Sequence, residues 1–237
     1  VFWWKQQVHT GVWAAFTDSS AGNLGLHVGD DAAAVRRRRG LLEDALQVPA
    51  GSLRFMNQVH SADAAVVAAD GPASSQPAVT ADALVSPDGG APLAVMVADC
   101  LPVVLVGTLP GGGAATAVAH AGRRGLLDGV LANAVTGLRD AGAAELQAWI
   151  GPSICGACYE VPEDMQADAT ARIPELASRT AWGTPALDLA AGATAELAGL
   201  GVEAHRVPGC TREESRLYSY RRDHSTGRFA GLVWKDA

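Results

Sequence analysis

Short apolar runs, each ended by a turn or by a single polar residue, fill the middle of this chain. Residues 93–98 (Leu-Ala-Val-Met-Val-Ala) form one, and residues 103–107 and 115–119 flank Pro110-Gly111-Gly112-Gly113. Apolar stretches this short, bounded by Gly, Pro and Asp, fit buried strands and are too short for ordinary helices. The 103–107 and 115–119 runs therefore read as a hairpin. Residues 14–17, 53–57, 64–68, 83–86, 145–150, 202–207 and 229–234 read as further strands, with Pro87-Asp88-Gly89-Gly90 as a turn. Residues 71–79, rich in Pro, Ser and Ala, read as a loop.

Helical spacing appears elsewhere. Leu127, Val130, Leu131, Ala134, Val135 and Leu138 recur on one face, and Gly142 stands where a helix stop belongs. Residues 32–46 read as a helix. So do residues 162–178, with Pro162 in the first turn and Glu163 and Asp164 behind it. Asp188 is placed to cap another, with Leu189, Ala193, Leu197 and Leu200 on one face. Strands outnumber helical crossovers and several are joined by tight turns. That predicts an α+β fold with mixed β-sheets flanked by helices, not a doubly wound parallel sheet. No repeat or linker divides the 237 residues, so residues 1–237 read as one domain.

Hydrophobic residues make up 49% and charged residues 18%, a balance that supports a buried core. A net charge of −7 argues against non-specific nucleic-acid binding. The run Arg36-Arg37-Arg38-Arg39 is expected to be a solvated helix face. Residues 1–12 lack the apolar centre of a secretory signal, and no apolar stretch is long enough to span a bilayer. The expected setting is the reducing cytoplasm, where cysteines more often bind metal or react than pair.

His60, Cys100 and His120 stand at the ends of three strand-like runs. Two histidines and one cysteine make a three-ligand set for a transition metal. Three protein ligands leave a coordination position open, as catalytic metals require. After His120 comes Ala121-Gly122-Arg123-Arg124-Gly125, a glycine-bearing helix entry with two arginines, suited to an anion. His9, His27, His205 and His224 have no comparable setting. Cys155-Gly156-Ala157-Cys158 reads as half a zinc site or a redox pair. A second cysteine pair is missing, since only Cys210 remains, and the segment follows Gly151-Pro152 late in the chain.

With these residues in view, the chain resembles a known family. Its members are called laccase-like multicopper polyphenol oxidoreductases, peptidoglycan editing factors or zinc-dependent purine nucleoside phosphorylases. The similarity rests on Asn23-Leu24-Gly25-Leu26-His27-Val28-Gly29-Asp30-Asp31, Asn57-Gln58-Val59-His60, Ala81-Asp82-Ala83-Leu84-Val85 and Ala98-Asp99-Cys100-Leu101-Pro102. It continues through His120-Ala121-Gly122-Arg123-Arg124-Gly125, Gly151-Pro152-Ser153-Ile154, Cys158-Tyr159-Glu160-Val161 and Ser219-Tyr220-Arg221-Arg222-Asp223, ending at Thr226-Gly227-Arg228.

The resemblance implies a layered α/β/β/α arrangement and a catalytic metal on His60, Cys100 and His120, zinc in the usual account with copper as the alternative. It places Arg124 near the substrate. Asn57, Gln58, Asp99, Tyr159 and Arg221 are further candidates to surround a small molecule. Implied activities are phosphorolysis of purine nucleosides with phosphate and deamination of adenosine. The rivals are an amidase that edits a peptidoglycan precursor, a copper-dependent polyphenol oxidase, and a non-enzymatic binding module. No nucleic-acid or membrane partner is expected, and the oligomeric state is left open. Three positions depart from the family pattern. Arg123 stands where Trp is usual, and the cysteine pair is usually adjacent, whereas here Ala157 precedes Cys158 and Cys155 lies two positions before Ala157. The loop after Phe16-Thr17-Asp18 is short and lacks an arginine.

Overall fold

The computed structural model describes residues 1–68 and 78–236. Twelve strands are described: β1 (Phe2–His9), β2 (Val12–Thr17), β3 (Ala64–Val66), β4 (Ala83–Ser86), β5 (Leu93–Val97), β6 (Leu101–Thr108), β7 (Ala114–Ala121), β8 (Ala144–Ile150), β9 (Ala177–Arg179), β10 (Pro185–Leu187), β11 (Glu203–Arg206) and β12 (Phe229–Lys235). The α-helices are α1 (Ala32–Leu46), α2 (Arg123–Asp128), α3 (Val130–Asp140), α4 (Glu163–Arg172), α5 (Leu189–Gly199) and α6 (Tyr220–Asp223).

Two sheets stack. One has the order β1-β2-β12-β5 and is antiparallel throughout. The other, β11-β8-β6-β7-β4-β3, is mixed: its central pairs are antiparallel, and both edge pairs, β11–β8 and β4–β3, are parallel. The layering follows from period-2 alternation along strands buried on both faces. In β6, Val104 and Val106 enter the cluster between the sheets, with Phe16, Leu93, Val95, Phe229 and Val233. Val103 and Leu105 point the other way, against Val130, Leu131, Val135 and Leu138 of α3 and Leu189 and Leu197 of α5. Similarly, Ala230, Leu232 and Trp234 of β12 meet Leu42 and Leu46 of α1 on the outer face of the four-stranded sheet. The result is α/β/β/α, as the family resemblance implied.

Several boundaries differ from expectation. The expected strand over 53–57 is not one; the segment pairs through isolated bridges, Arg54 to Leu93 and Asn57 to Thr80. The helix expected over 162–178 ends at Arg172, because Pro174 disfavours helical backbone at Ile173, which is extended with φ −133°. Pro162 is its N-cap, not a first-turn residue. The expected 127–138 helix is two, broken at Gly129, which takes φ 93°. β1 was not anticipated. The loop read over 71–79 falls largely outside the described residues. Within Arg36–Arg39, two side chains are engaged in the fold: Arg38 pairs with Asp30 at 2.6 Å, and Arg39 donates to the Leu24 carbonyl and lies 3.7 Å from the Phe55 ring centroid. Among the described residues, no helix is long and apolar enough to cross a membrane.

Candidate metal centre and its cavity

The three predicted donors converge, from positions the strand reading only partly foresaw. His60 sits in a loop with left-handed backbone, φ 61°. Cys100 occupies the corner between β5 and β6, where the chain leaves one sheet for the other. Its neighbour Asp99 turns that corner at φ 99°, a conformation that costs a non-glycine residue energy and that the surroundings must hold. His120 lies inside β7, second from its end. One donor atom from each residue lies within 4.8 Å of the others. Cys100 Sγ is 3.7 Å from His60 Nε2. Tetrahedral zinc at ordinary Zn–S and Zn–N lengths separates such a pair by about 3.6 Å, so the donor set fits the metal. Gly122 makes room for it: a Cβ there would sit 2.7 Å from His60 Cδ2 and 3.0 Å from Cys100 Sγ.

Asp82 organises this centre. Its buried carboxylate accepts from the backbone N–H groups of Val59 (3.1 Å), His60 (3.0 Å) and Ser61 (2.7 Å), and from Ser61 Oγ. It also faces His120 Nδ1 at 2.7 Å. That contact fixes the ring so that Nε2 is the nitrogen left for a metal. The His60 loop is thus wound round one carboxylate. Burial works against the Asp82 charge, but the bonds from His120, Ser61 and Val59 outweigh it and hold the carboxyl well below the usual range. Burial likewise opposes the Cys100 thiolate, yet His120 and His60 bring it down to about 6. Burial opposes protonation of His120, yet Cys100 and Asp82 push it up to about 9. Both shifts run in the direction of a thiolate beside an imidazolium in the metal-free centre.

The donors open into a cavity of about 370 Å³, within the range for small-molecule sites. Met96, Val97, Ile154 and Leu189 supply apolar wall; Arg221, Arg228, Tyr159, Tyr220 and His27 supply polar and aromatic wall. Asp99 Oδ2 accepts from the Arg221 backbone N–H at 2.7 Å, and its Oδ1 accepts from Thr211 Oγ1 at 2.6 Å. The Arg221 guanidinium donates to Glu160 O and sits 5.1 Å from the Tyr159 ring centroid. Burial and the Cys100 charge raise the Tyr159 phenol, against the pull of Arg123 and Arg221, so it stays protonated. Gln58 also lines the cavity, but its amide is tied to Met96, accepting from N–H at 2.9 Å and donating to O at 2.7 Å.

Two candidates fall elsewhere. Asn57 is exposed, hydrogen-bonded to Thr80 Oγ1 and not on the cavity wall. Arg124 is exposed on α2 and off the wall, while its neighbour Arg123 reaches Tyr159. The short loop after Asp18 closes as a single 3₁₀ turn capped by that aspartate, and the cationic wall is built from Arg221 and Arg228 instead.

Residues 5–236 match the family described as multi-copper polyphenol oxidoreductase laccase. The chain belongs to this family. A Streptomyces coelicolor protein named purine nucleoside phosphorylase is 48% identical over 217 residues, covering 90% of this chain and 88% of that protein. Two solved structures share the fold. A Neisseria meningitidis protein aligns with TM-score 0.82 and 33% identity, covering 96% of this chain and 95% of its own. The Bacillus licheniformis protein YfiH aligns with TM-score 0.85 and 27% identity, covering 96% and 94%.

Within the family pattern, sequence reasoning missed four residues of the site. His27, given no setting in the sequence, lines the cavity; partial burial and the charges of Arg228, Arg39 and His120 lower its pKa, so it is neutral at pH 7. Asp82, Tyr220 and Arg228 lay in the matching motifs but carried no assigned role. A buried-looking Asp at the start of a strand was the available signal for Asp82, since an acid there needs several donors.

Proposed function

We propose that this chain is a metal-dependent purine nucleoside phosphorylase that also deaminates adenosine. The observation that carries the reading is the open three-donor centre on the wall of a cavity that also presents two arginines and two tyrosines. The named activity of the Streptomyces coelicolor relative supports it.

His60, Cys100 and His120 would hold the metal, zinc by donor chemistry, and when bound it supplies a Lewis acid with one open position. The chain's own groups do the rest. Arg221 and Arg228 give the anionic phosphate a cationic wall. Asp99 fixes the backbone of Arg221, so that charge is positioned before substrate arrives. Tyr159 and Tyr220 offer ring faces and hydroxyls to a flat, polar base. In phosphorolysis a phosphate oxygen bonds to the ribose anomeric carbon. The bond from that carbon to the base nitrogen breaks, and the base leaves with the electron pair and takes up a proton. The protonated Tyr159 hydroxyl is a hydrogen-bond donor for the departing base. In deamination water replaces phosphate, attacks the purine carbon bearing the amino group, and ammonia leaves.

The oxidase alternative draws weaker support. A multicopper centre needs several groups of histidines, whereas the metal-capable groups among the described residues number two, and only one contains histidine. The amidase reading would use the same donors, and no observation favours it over nucleoside chemistry.

The test is chromatography of purified, zinc-replete protein with inosine or adenosine, with and without phosphate. The expected result is phosphate-dependent hypoxanthine release and phosphate-independent conversion of adenosine to inosine, both lost in Cys100→Ala. No nucleoside consumption, or equal consumption by the variant, overturns the reading.

A further inference from the structure

Away from the three-donor centre, two segments of like spacing face one another. Cys155-Gly156-Ala157-Cys158 carries sulfur at its first and fourth positions; Cys210-Thr211-Arg212-Glu213 carries sulfur at its first and a carboxylate at its fourth. Each closes a turn on its own first carbonyl. Cys158 and Tyr159 N–H donate to Cys155 O at 2.9 and 3.0 Å; Glu213 and Glu214 N–H donate to Cys210 O at 3.1 and 2.9 Å. Turns closed this way bring residues three apart to the same side. The two turns are tied together by a parallel bridge between Ser153 and Cys210, with Ser153 N–H donating to Gly209 O and Thr211 N–H to Ser153 O.

The consequence is a four-donor cluster. The donor atoms of Cys155, Cys158, Cys210 and Glu213 all lie within 4.8 Å of one another, and all three cysteines are free thiols. Cys158 Sγ is 3.4 Å from Glu213 Oε1. Tetrahedral zinc holds sulfur and oxygen about 3.6 Å apart and two sulfurs about 3.8 Å apart, so small side-chain adjustments complete the shell. The frame is stiff. A Cβ at Gly156 would meet Ser178 Oγ at 2.6 Å and Asp188 Cβ at 2.9 Å. Arg222 clamps the second turn by donating to the carbonyls of Thr211 (2.8 Å), Glu214 (3.1 Å) and Leu217 (2.8 Å). Cys158 and Cys210 are buried, whereas Glu213 is exposed and gives an ion its way in.

We infer that Cys155, Cys158, Cys210 and Glu213 form a second, structural metal site that takes zinc. Four protein donors fill a tetrahedron and leave no position for water, which is what separates a structural zinc from a catalytic one. A redox pair would use two sulfurs and would give neither the third thiol nor the carboxylate a part. The site also braces the cavity. Ile154 and Tyr159 flank the first turn and line the cavity, and Thr211, next to Cys210, holds Asp99. Metal here would therefore lock together the wall segments that position Asp99, Tyr159 and Arg221.

The test is elemental analysis of full-length protein purified under reducing conditions from zinc-sufficient cells, with native-state alkylation of its cysteines in parallel. Wild type, Cys100→Ala, Cys155→Ser and Glu213→Gln are compared. About two zinc ions per wild-type chain are expected, falling to about one in Cys155→Ser. Cys155, Cys158 and Cys210 should resist alkylation until a chelator is added. Glu213→Gln, an exposed change that leaves the packing in place, should weaken retention of that ion about tenfold or more, even if Cys155→Ser does not fold. Unchanged zinc content in both variants, free alkylation of the three cysteines in zinc-loaded protein, or a disulfide among them overturns the inference. Cys100→Ala reports on the other centre, so the two sites stand or fall separately.

Discussion

Replacing Gly122 by Ala tests the metal centre through a residue that contributes no ligand. Gly122 has φ −71° and ψ 167°, backbone that alanine adopts without strain. Only space is at issue. The added methyl would lie 2.7 Å from His60 Cδ2, 3.0 Å from Cys100 Sγ and 3.3 Å from His60 Nε2. Cys100 is anchored at the β5–β6 corner, whereas His60 is exposed, so the His60 ring gives way. Reaching ordinary contact requires a retreat of roughly 0.7 Å, well beyond the roughly 0.2 Å tolerance of a metal–ligand distance. We expect metal affinity to fall about 10- to 100-fold, or about 1.4–2.7 kcal/mol. Fold stability without metal should fall by no more than about 2 kcal/mol, because reduced unfolded-state entropy offsets part of the local crowding and of the poorer N-cap of α2. Chelator-competition titration reads the first quantity and denaturant unfolding of the metal-free protein the second. Wild-type affinity in Gly122→Ala would refute the geometry. A large stability loss with affinity intact would mean that Cys100 and the strand corner moved instead.

Asp82→Asn keeps the size of the side chain but removes the charge that faces His120 Nδ1 and three backbone N–H groups. It should cost about 3–5 kcal/mol in unfolding experiments and lower metal affinity at least tenfold; a loss under 1 kcal/mol would contradict the organising role. The pH dependence of metal binding follows from His120 near 9 and Cys100 near 6. Between those values metal must expel one proton, so apparent affinity should rise about tenfold per pH unit, and more steeply below 6. Stability of the metal-free protein behaves differently. Raised His120 favours folding below 6.5 and loses that contribution as pH rises through about 9; lowered Cys100 favours folding above 9.0 and loses it as pH falls through about 6. The two slopes cancel, so unfolding experiments should show this pair adding almost no pH dependence. Arg228→Gln should raise the KM for phosphate about tenfold or more and leave that for nucleoside nearly unchanged in steady-state kinetics.

Local pattern carried much of the fold. The 32–46 helix and the 83–86 strand fall where the sequence placed them, because Asp31 caps the helix and the strand is apolar on both faces. β1 escaped notice because Lys5-Gln6-Gln7 at its centre is exposed and breaks any apolar alternation. At the site, His60, Cys100 and His120 were legible as polar residues ending apolar runs. The residue that organises their convergence was not, since Asp82 acts by collecting hydrogen bonds from a loop 21–23 residues away. The Cys155–Cys158 pair looked like half a site because Cys-Thr-Arg-Glu has no distinctive spacing of its own. Only the bridge from Ser153 to Cys210 brings the other half to it.

Phosphorus NMR of a single reaction tests the central claim most directly: metal-replete protein, inosine and inorganic phosphate, with Cys100→Ala as the paired sample. The account predicts a sugar-phosphate resonance from ribose 1-phosphate that grows in step with hypoxanthine in the wild type and is absent from the variant. Hypoxanthine appearing with free ribose and no phosphate ester, or the same ester formed by Cys100→Ala, would contradict it.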